Sequence, residues 1–150
     1  PTRCHELALI CIGRYLKGTV YKGLVMFPSL HPHVDCYPDA DFAGLYGHED
    51  SRNPHCARSH TGYVILAFGC PVLWHSHLQT EIALSTIETE YVALSTSCKD
   101  LVPLVAVIRE LSAAVGLNAS FTSIIHCKTH KDNVGALTPA QLEPCHMTPL

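Results

Sequence analysis

Helical and strand-like spacings of apolar residues alternate along the chain, and their order outlines a fold. Leu7, Leu9, Ile10, Cys11, Ile12, Tyr15 and Leu16 predict a helix over 5–17, with Gly18 closing it. Residues 20–27 predict a short strand ended by Pro28-Ser29, followed by a linker over 29–33. Residues 33–39 predict the next strand. Between 44 and 60, Gly, His, Asp, Ser, Asn, Pro and Arg occur with little periodicity, which predicts a long loop. Thr61–Phe68 and Pro71–His77 predict an antiparallel hairpin turning at Gly69-Cys70-Pro71. Ser85-Thr86-Ile87-Glu88 has the form of a capping box. Beyond it, Tyr91, Leu94, Cys98, Leu101, Leu104, Val105, Ile108 and Leu111 keep helical spacing as far as Gly116. Pro103 inside that pattern predicts a kink, or a split into two helices near Asp100-Leu101. Phe121–Lys128 predicts a strand, and Asn133–Ala140 a short helix limited by Pro139. From residue 33 onward the order is β-β-β-α-β-α, which implies a mixed sheet with helices packed on it.

Three carboxylates stand at the boundaries of these elements. Asp39 ends the strand-like run from Val34, Glu90 lies inside the long helix, and Asp132 follows the last strand. Carboxylates at strand ends and on a facing helix can hold hard divalent cations, and paired ions can grip both oxygens of a phosphoryl displacement. Each residue also has a plainer role open to it. Asp39 and Asp41 can end a strand and cap a turn. Glu88 suits the first turn of a helix, where the dipole favours negative charge, and Asp132 can cap the helix that follows it. No Ser/His/Asp or Cys/His constellation is evident.

Composition narrows the classes. The 150 residues are 47% hydrophobic with a mean hydropathy of +0.17, which describes one globular domain with a modest core. No unbroken apolar run reaches the ~20 residues of a membrane helix, so no membrane partner is expected. Cys4-His5-Glu6 interrupts any signal-peptide core, and a chain beginning with Pro is expected to be a piece of a longer polypeptide. The net charge is −3 with only ten Lys plus Arg, which counts against tight autonomous binding of nucleic acid. A site that grips phosphates through metal ions remains open. The eight cysteines are scattered, so reduced thiols are expected, and the Asn118-Ala119-Ser120 sequon then has no role. Eleven histidines include His31/His33, His75/His77 and His126/His130, yet none forms a C-x-x-C or H-E-x-x-H set. A zinc-binding module is therefore the weakest alternative. Trp74 and Tyr63 read as core or sheet-face residues.

Several motifs at consistent spacing resemble the ribonuclease H domain of copia-type retrotransposon Pol polyproteins. Tyr37-Pro38-Asp39-Ala40-Asp41-Phe42-Ala43-Gly44 is similar to the family's Y-x-D-A-D-W/F-A-G strand, and Ser59 to Val64 to its S-x-S/T-G-Y-V/I strand. Pro71 to Gln79 resembles P-I/V-x-W-x-S-K-x-Q, with His75 and His77 as departures. Ala83 to Leu94 resembles A-L-S-S/T-x-E-A-E-Y-x-A-L, and Lys131 to Leu137 fits x-D-N-x-G/S-A-L/I. Pro1 to His5, Arg14 to Thr19 and Gly23-Leu24 resemble the segment ending the reverse transcriptase. The resemblance thus implies a reverse transcriptase tail over 1–30 and a ribonuclease H-like domain over 31–150.

The fold it implies is α/β, a ribonuclease H-like mixed sheet with helices packed on it. The family continues past the present end with a further carboxylate, a nearby histidine, a strand and a helix. The domain is therefore expected to be C-terminally truncated, leaving the strand at 121–128 as an exposed edge. The resemblance implies that Asp39, Glu90 and Asp132 are the catalytic metal ligands for two Mg²⁺ (or Mn²⁺) ions. One ion would activate water and the other stabilise the leaving 3′ oxygen, hydrolysing the RNA strand of an RNA–DNA hybrid. It also implies an adjacent reverse transcriptase as partner and an intracellular, cytoplasmic setting in virus-like particles. The alternative is a decayed, non-catalytic transposon fragment. Histidines and cysteines, 11 and 8, outnumber arginines. Single transitions in CG-starting arginine codons would produce that excess.

Overall fold

The computed structural model describes residues 2–48, 52–116, 125–133 and 135. Helix α1 (Arg3–Gly18) leads to an irregular segment, then strand β1 (His33–Asp41), a short 3₁₀ turn (Pro54–Ala57) and strands β2 (His60–Ala67) and β3 (Cys70–Leu78). Helix α2 (Thr86–Ala114) and strand β4 (His126–Thr129) follow. The four strands form one sheet in the order β3-β2-β1-β4. β1 is antiparallel to β2, β2 to β3, and β4 is parallel to β1. This is a mixed α/β sheet, compatible with a ribonuclease H-like fold. Among the described residues β4 pairs only with β1 and so forms the sheet edge.

The alternation along β1 decides which face is covered. Val34, Cys36 and Pro38 are buried, whereas Tyr37 and Asp39 are exposed. The buried set joins Tyr63 and Ile65 of β2 and Ile125, and α2 lays Leu101 and Val105 across them. Leu73, Leu104 and Ile108 close the edge of this core. Ala93 and Ser97, both fully buried, let the helix approach the sheet closely. The opposite sheet face carries exposed Tyr37, Val64 and Trp74. Tyr63 is therefore a core residue and Trp74 a sheet-face residue.

The hairpin turns at Phe68-Gly69 rather than at Gly69-Pro71. Both residues have positive φ (55° and 80°), which suits a tight two-residue turn following the strand twist. Gly69 adopts this without strain, while Phe68 is a bulky residue in a conformation it disfavours.

Three further expectations change in the structure. The strand expected over 20–27 is absent, and Val20, Tyr21, Leu24, Val25, Met26 and Phe27 are all exposed. Among the described residues no strand receives their backbone groups, and an isolated extended segment gains no ladder. α2 neither ends nor splits at Pro103. Pro103 and Lys99, whose carbonyl it leaves without an N–H, both lie on the exposed face, so water can satisfy the carbonyl. The expected long loop contains a 3₁₀ turn that buries Cys56. Of the short helix expected over 133–140 only residues 133 and 135 are described, and the chain end, the sequon and the first residues of the 121–128 strand lie outside the described residues.

α1 covers the helix expected over 5–17, starting two residues earlier at Arg3, but buries none of its residues. α2 has an 18-residue window of mean hydropathy 1.5, so length and composition alone would let it cross a bilayer. Only 22% of that window is buried, including Leu101 and Val105, which pack in the core against the sheet. The seven described cysteines are all free thiols.

Candidate metal centre

β1 and β4 run parallel, and a crevice at the carboxyl ends of parallel strands is where such sheets place ligands. Cys36 pairs with Thr129, the last partners of this ladder. Continuing the register by three residues in each strand brings Asp39 beside Asp132. The Cys36 carbonyl accepts from the His130 N–H at 2.8 Å, so it faces β4. Two residues on, Pro38 turns the same way, and its missing N–H falls where β4 has already ended. Its carbonyl accepts from the Lys131 ammonium at 3.1 Å. Proline is thus tolerated inside β1, immediately before Asp39.

Glu90 arrives from α2. Ser85 caps that helix by accepting from the Glu88 N–H at 3.1 Å, and the Glu88 carboxylate accepts from the Leu84 N–H at 2.7 Å. Glu88 is therefore a capping residue. Next to Glu90, Thr89 anchors a buried neutral network. Its hydroxyl donates to the Ser85 carbonyl at 3.0 Å and lies 3.3 Å from the Ser59 hydroxyl. Gln79 Nε2 donates to the Thr61 hydroxyl at 2.9 Å and to the Thr89 carbonyl at 3.1 Å. Ser59 Oγ also accepts from the Ala43 N–H. These bonds fasten the first turns of α2 to the ends of β2 and β3. On the other side, Gly135 lies so near Ile87 that an added Cβ would stand 3.0 Å from Ile87 Cδ1. The segment bearing Asp132 can therefore abut α2.

The result is convergence. Asp39, Glu90 and Asp132 each offer an oxygen within 4.8 Å of the others. Glu90 is buried, while Asp39 and Asp132 are exposed. Among the described residues no other trio of His, Cys, Asp or Glu converges in this way. Asp41 turns elsewhere, its carboxylate lying against the Cα of Gly44 where no side chain could fit beside it. His75 and His77 share one strand face as their spacing predicts, with ring centroids 4.7 Å apart. His77 Nδ1 is buried without a partner, and burial foremost, then His75 and His60, pushes its pKa down.

A cation already stands in the carboxylate cluster. The Lys131 side chain is wholly buried, its ammonium pairs with Glu90, and it lies 3.4 Å from Asp132 Oδ1. It holds the Asp132 carboxyl below the usual carboxylate range, assisted by local hydrogen bonds. Hard oxygen donors gathered around a positive charge fit Mg²⁺ or Mn²⁺ in type and sign. Motif spacing marked Asp132 but not Lys131, because a lysine before an aspartate reads as a solvated pair.

Beside this cluster lies a cleft of about 590 Å³ lined by Tyr37, Asp39, Lys128, His130, Lys131 and Asp132. His130 Nε2 is 2.8 Å from Asp35 Oδ1, and the His130 ring stacks on Tyr37 with centroids 4.5 Å apart. His33 Nε2 is 3.4 Å from the other Asp35 oxygen. Sequence spacing did not join Asp35 to His130, which are 95 residues apart.

Comparison with known proteins adds an evolutionary context. The chain is 37% identical over 111 residues, 74% of its length, to the retrovirus-related Pol polyprotein from transposon TNT 1-94 of Nicotiana tabacum. It is 30% identical over 136 residues, 91% of its length, to that from transposon RE2 of Arabidopsis thaliana. The chain spans about 8% of the length of each of these curated relatives. It is also 36% identical over 68% of its length to the secreted RxLR effector protein 161 of Plasmopara viticola, covering 66% of that protein. No protein-family profile matches the chain, and no solved structure matches it. The similarities support a retrotransposon origin, as a fragment of Pol.

Proposed function

Starting from homology to a segment of plant-transposon Pol polyproteins, we propose that this chain is the ribonuclease H portion of a copia-type Pol, hydrolysing the RNA strand of RNA–DNA hybrids. The observation that carries this reading is the convergence of Asp39, Glu90 and Asp132 within 4.8 Å. Those three residues would hold the metal. Bound Mg²⁺ or Mn²⁺ supplies an activated water and stabilises charge on the leaving oxygen.

The chain's own residues do the positioning. Asp39 and Asp132 are exposed at the cleft and so reach an entering phosphodiester. Glu90 is held from behind by the Thr89 network, so its carboxylate is presented in one place. Tyr37, backed by His130, offers a flat wall, and Lys128 adds a second positive charge to a cleft that Lys131, Asp39 and Asp132 also line. Selection of RNA would rest on the 2′-OH and duplex shape rather than on base sequence. The net charge of −3 suits a domain whose grip on the hybrid comes largely from a neighbouring reverse transcriptase. In this proposal residues 1–30 are the tail of that partner, and α1, with no buried residue, is consistent with a helix belonging to another packed body. The cytoplasmic virus-like particle is the corresponding setting.

The test is cleavage of an end-labelled RNA–DNA hybrid with Mg²⁺ or Mn²⁺, beside Asp39→Asn. The expected outcome is RNA-strand cuts that the substitution abolishes. A folded sample that leaves the hybrid intact would overturn the proposal and leave a non-catalytic fragment.

A further inference from the structure

Lys131 is an unusual neighbour for metal ligands. It immediately precedes Asp132, on a segment whose adjacent residues reach the surface, yet none of its side chain is exposed. A buried ammonium is strongly unfavourable unless it is paired. Here the pairing comes from Glu90, from the Pro38 carbonyl at 3.1 Å and from Asp132 at 3.4 Å. Three carboxylates and one ammonium leave a net charge of −2 in the cluster. Without Lys131 the same oxygens would face one another with −3.

The ammonium and a divalent ion compete for the same oxygens. A Mg²⁺ ion takes oxygens at about 2.0–2.1 Å and tolerates little distortion. While Lys131 Nζ pairs with Glu90 Oε2 and lies 3.4 Å from Asp132 Oδ1, those two oxygens are engaged by the ammonium and not free to close on an ion at that distance. Lysine is suited to leaving, because its charge is a compact, strongly hydrated head on a flexible stem. The residue borders the open cleft, so an outward swing would carry its ammonium into that space.

Resting on the metal-site reading above, we infer that Lys131 is a resident counter-ion. Its ammonium holds the carboxylates together in the metal-free protein, and it swings out when a divalent cation binds. Lys131 thereby sets the metal concentration at which the site fills. A site closed by lysine in about nine of ten molecules would show about tenfold weaker apparent metal affinity than its intrinsic value.

Mn²⁺ is the probe, on the full chain. In the wild type, an amine-acetylating reagent followed by peptide mass spectrometry reads whether Lys131 is accessible. Lys131 should be protected without Mn²⁺, relative to exposed Lys17 and Lys128, and become as reactive as they are at saturating Mn²⁺. In Lys131→Met, Mn²⁺ should bind about tenfold tighter by electron paramagnetic resonance titration, and the metal-free variant should melt lower until Mn²⁺ is added. Equal Mn²⁺ affinity in both proteins, with Lys131 still protected, would overturn the counter-ion role and leave the metal site standing. Absence of Mn²⁺ binding in both would overturn the metal site, and this inference with it. Should Lys131→Met fail to fold, the wild-type protection pattern decides alone.

Discussion

Thr89 and Glu90 are consecutive residues of α2, and both are buried, yet they belong to polar clusters of opposite kind. Thr89 sits in a neutral network with Ser59, Thr61 and Gln79, in which the donors and acceptors find partners inside the protein. Glu90 sits in a charged cluster that opens onto a cleft and is only partly offset by a single lysine. A closed neutral network gains nothing by changing partners, so it locks geometry. An open cluster with excess negative charge gains from any cation that enters. One residue step along a helix separates the part of the molecule that holds still from the part equipped to exchange ligands.

The sharpest way to break this comparison is to substitute each neighbour in turn. Glu90→Gln keeps an acceptor for Lys131 but removes its paired charge, so the protein should still fold while melting lower. RNA-strand cleavage should fall about 10²–10³-fold, the rate equivalent of several kcal/mol of lost charge stabilisation. Single-turnover cleavage beside a thermal melt reads both halves, and wild-type rates in Glu90→Gln would remove the cluster from the chemistry. Gln79→Leu attacks the other side. It withdraws the donor to Thr61 and to the Thr89 carbonyl and should cost about 1–3 kcal/mol in urea unfolding. Well below the melting point, cleavage should change far less than in Glu90→Gln.

The core beneath both clusters contains a third polar contact, between the Tyr63 hydroxyl and the Asp100 carboxylate. Burial foremost, and the bond to Asp100, push the Tyr63 pKa up to about 12 from 10.0. The folded state then holds this proton more tightly than the unfolded state. Its contribution is complete below pH 10.0 and is lost as the pH rises through about 12. Urea midpoints measured across that window should fall more steeply for wild type than for Tyr63→Phe. The smallest expected effect is that of Ser85→Ala, about 1 kcal/mol from a lost helix cap. Amide exchange should show it as faster opening of the first turn of α2, next to Glu90. An unchanged exchange rate there would mean the Thr89 network positions Glu90 without help from the cap.

Much of this architecture was legible in the chain because local rules and tertiary packing agree. The alternation from Val34 to Asp39, the paired runs around Gly69, and Ser85-x-x-Glu88 each name an element whose local preference the fold keeps. Disagreement arises where a partner decides. Val20 to Phe27 has strand composition, but among the described residues no strand pairs with it, although Leu24 and Met26 lie near the β2-β3 hairpin. Pro103 should break a helix, yet its freed carbonyl faces solvent, and the buried stripe of Leu101 and Val105 carries α2 through it.

The site divides in the same way. Sequence alone identified Asp39, Glu90 and Asp132 as candidates, because acidic residues at element boundaries inside recurring motifs are visible one position at a time. It could not reveal that Lys131 lies among them, that His130 meets Asp35 across 95 residues, or that Gln79 anchors the backbone beside Glu90. Those contacts depend on the parallel register of β1 with β4 and on how closely α2 lies against the sheet. Local spacing determines which residues can form an element, whereas the meeting of distant charges is decided only when the elements pack.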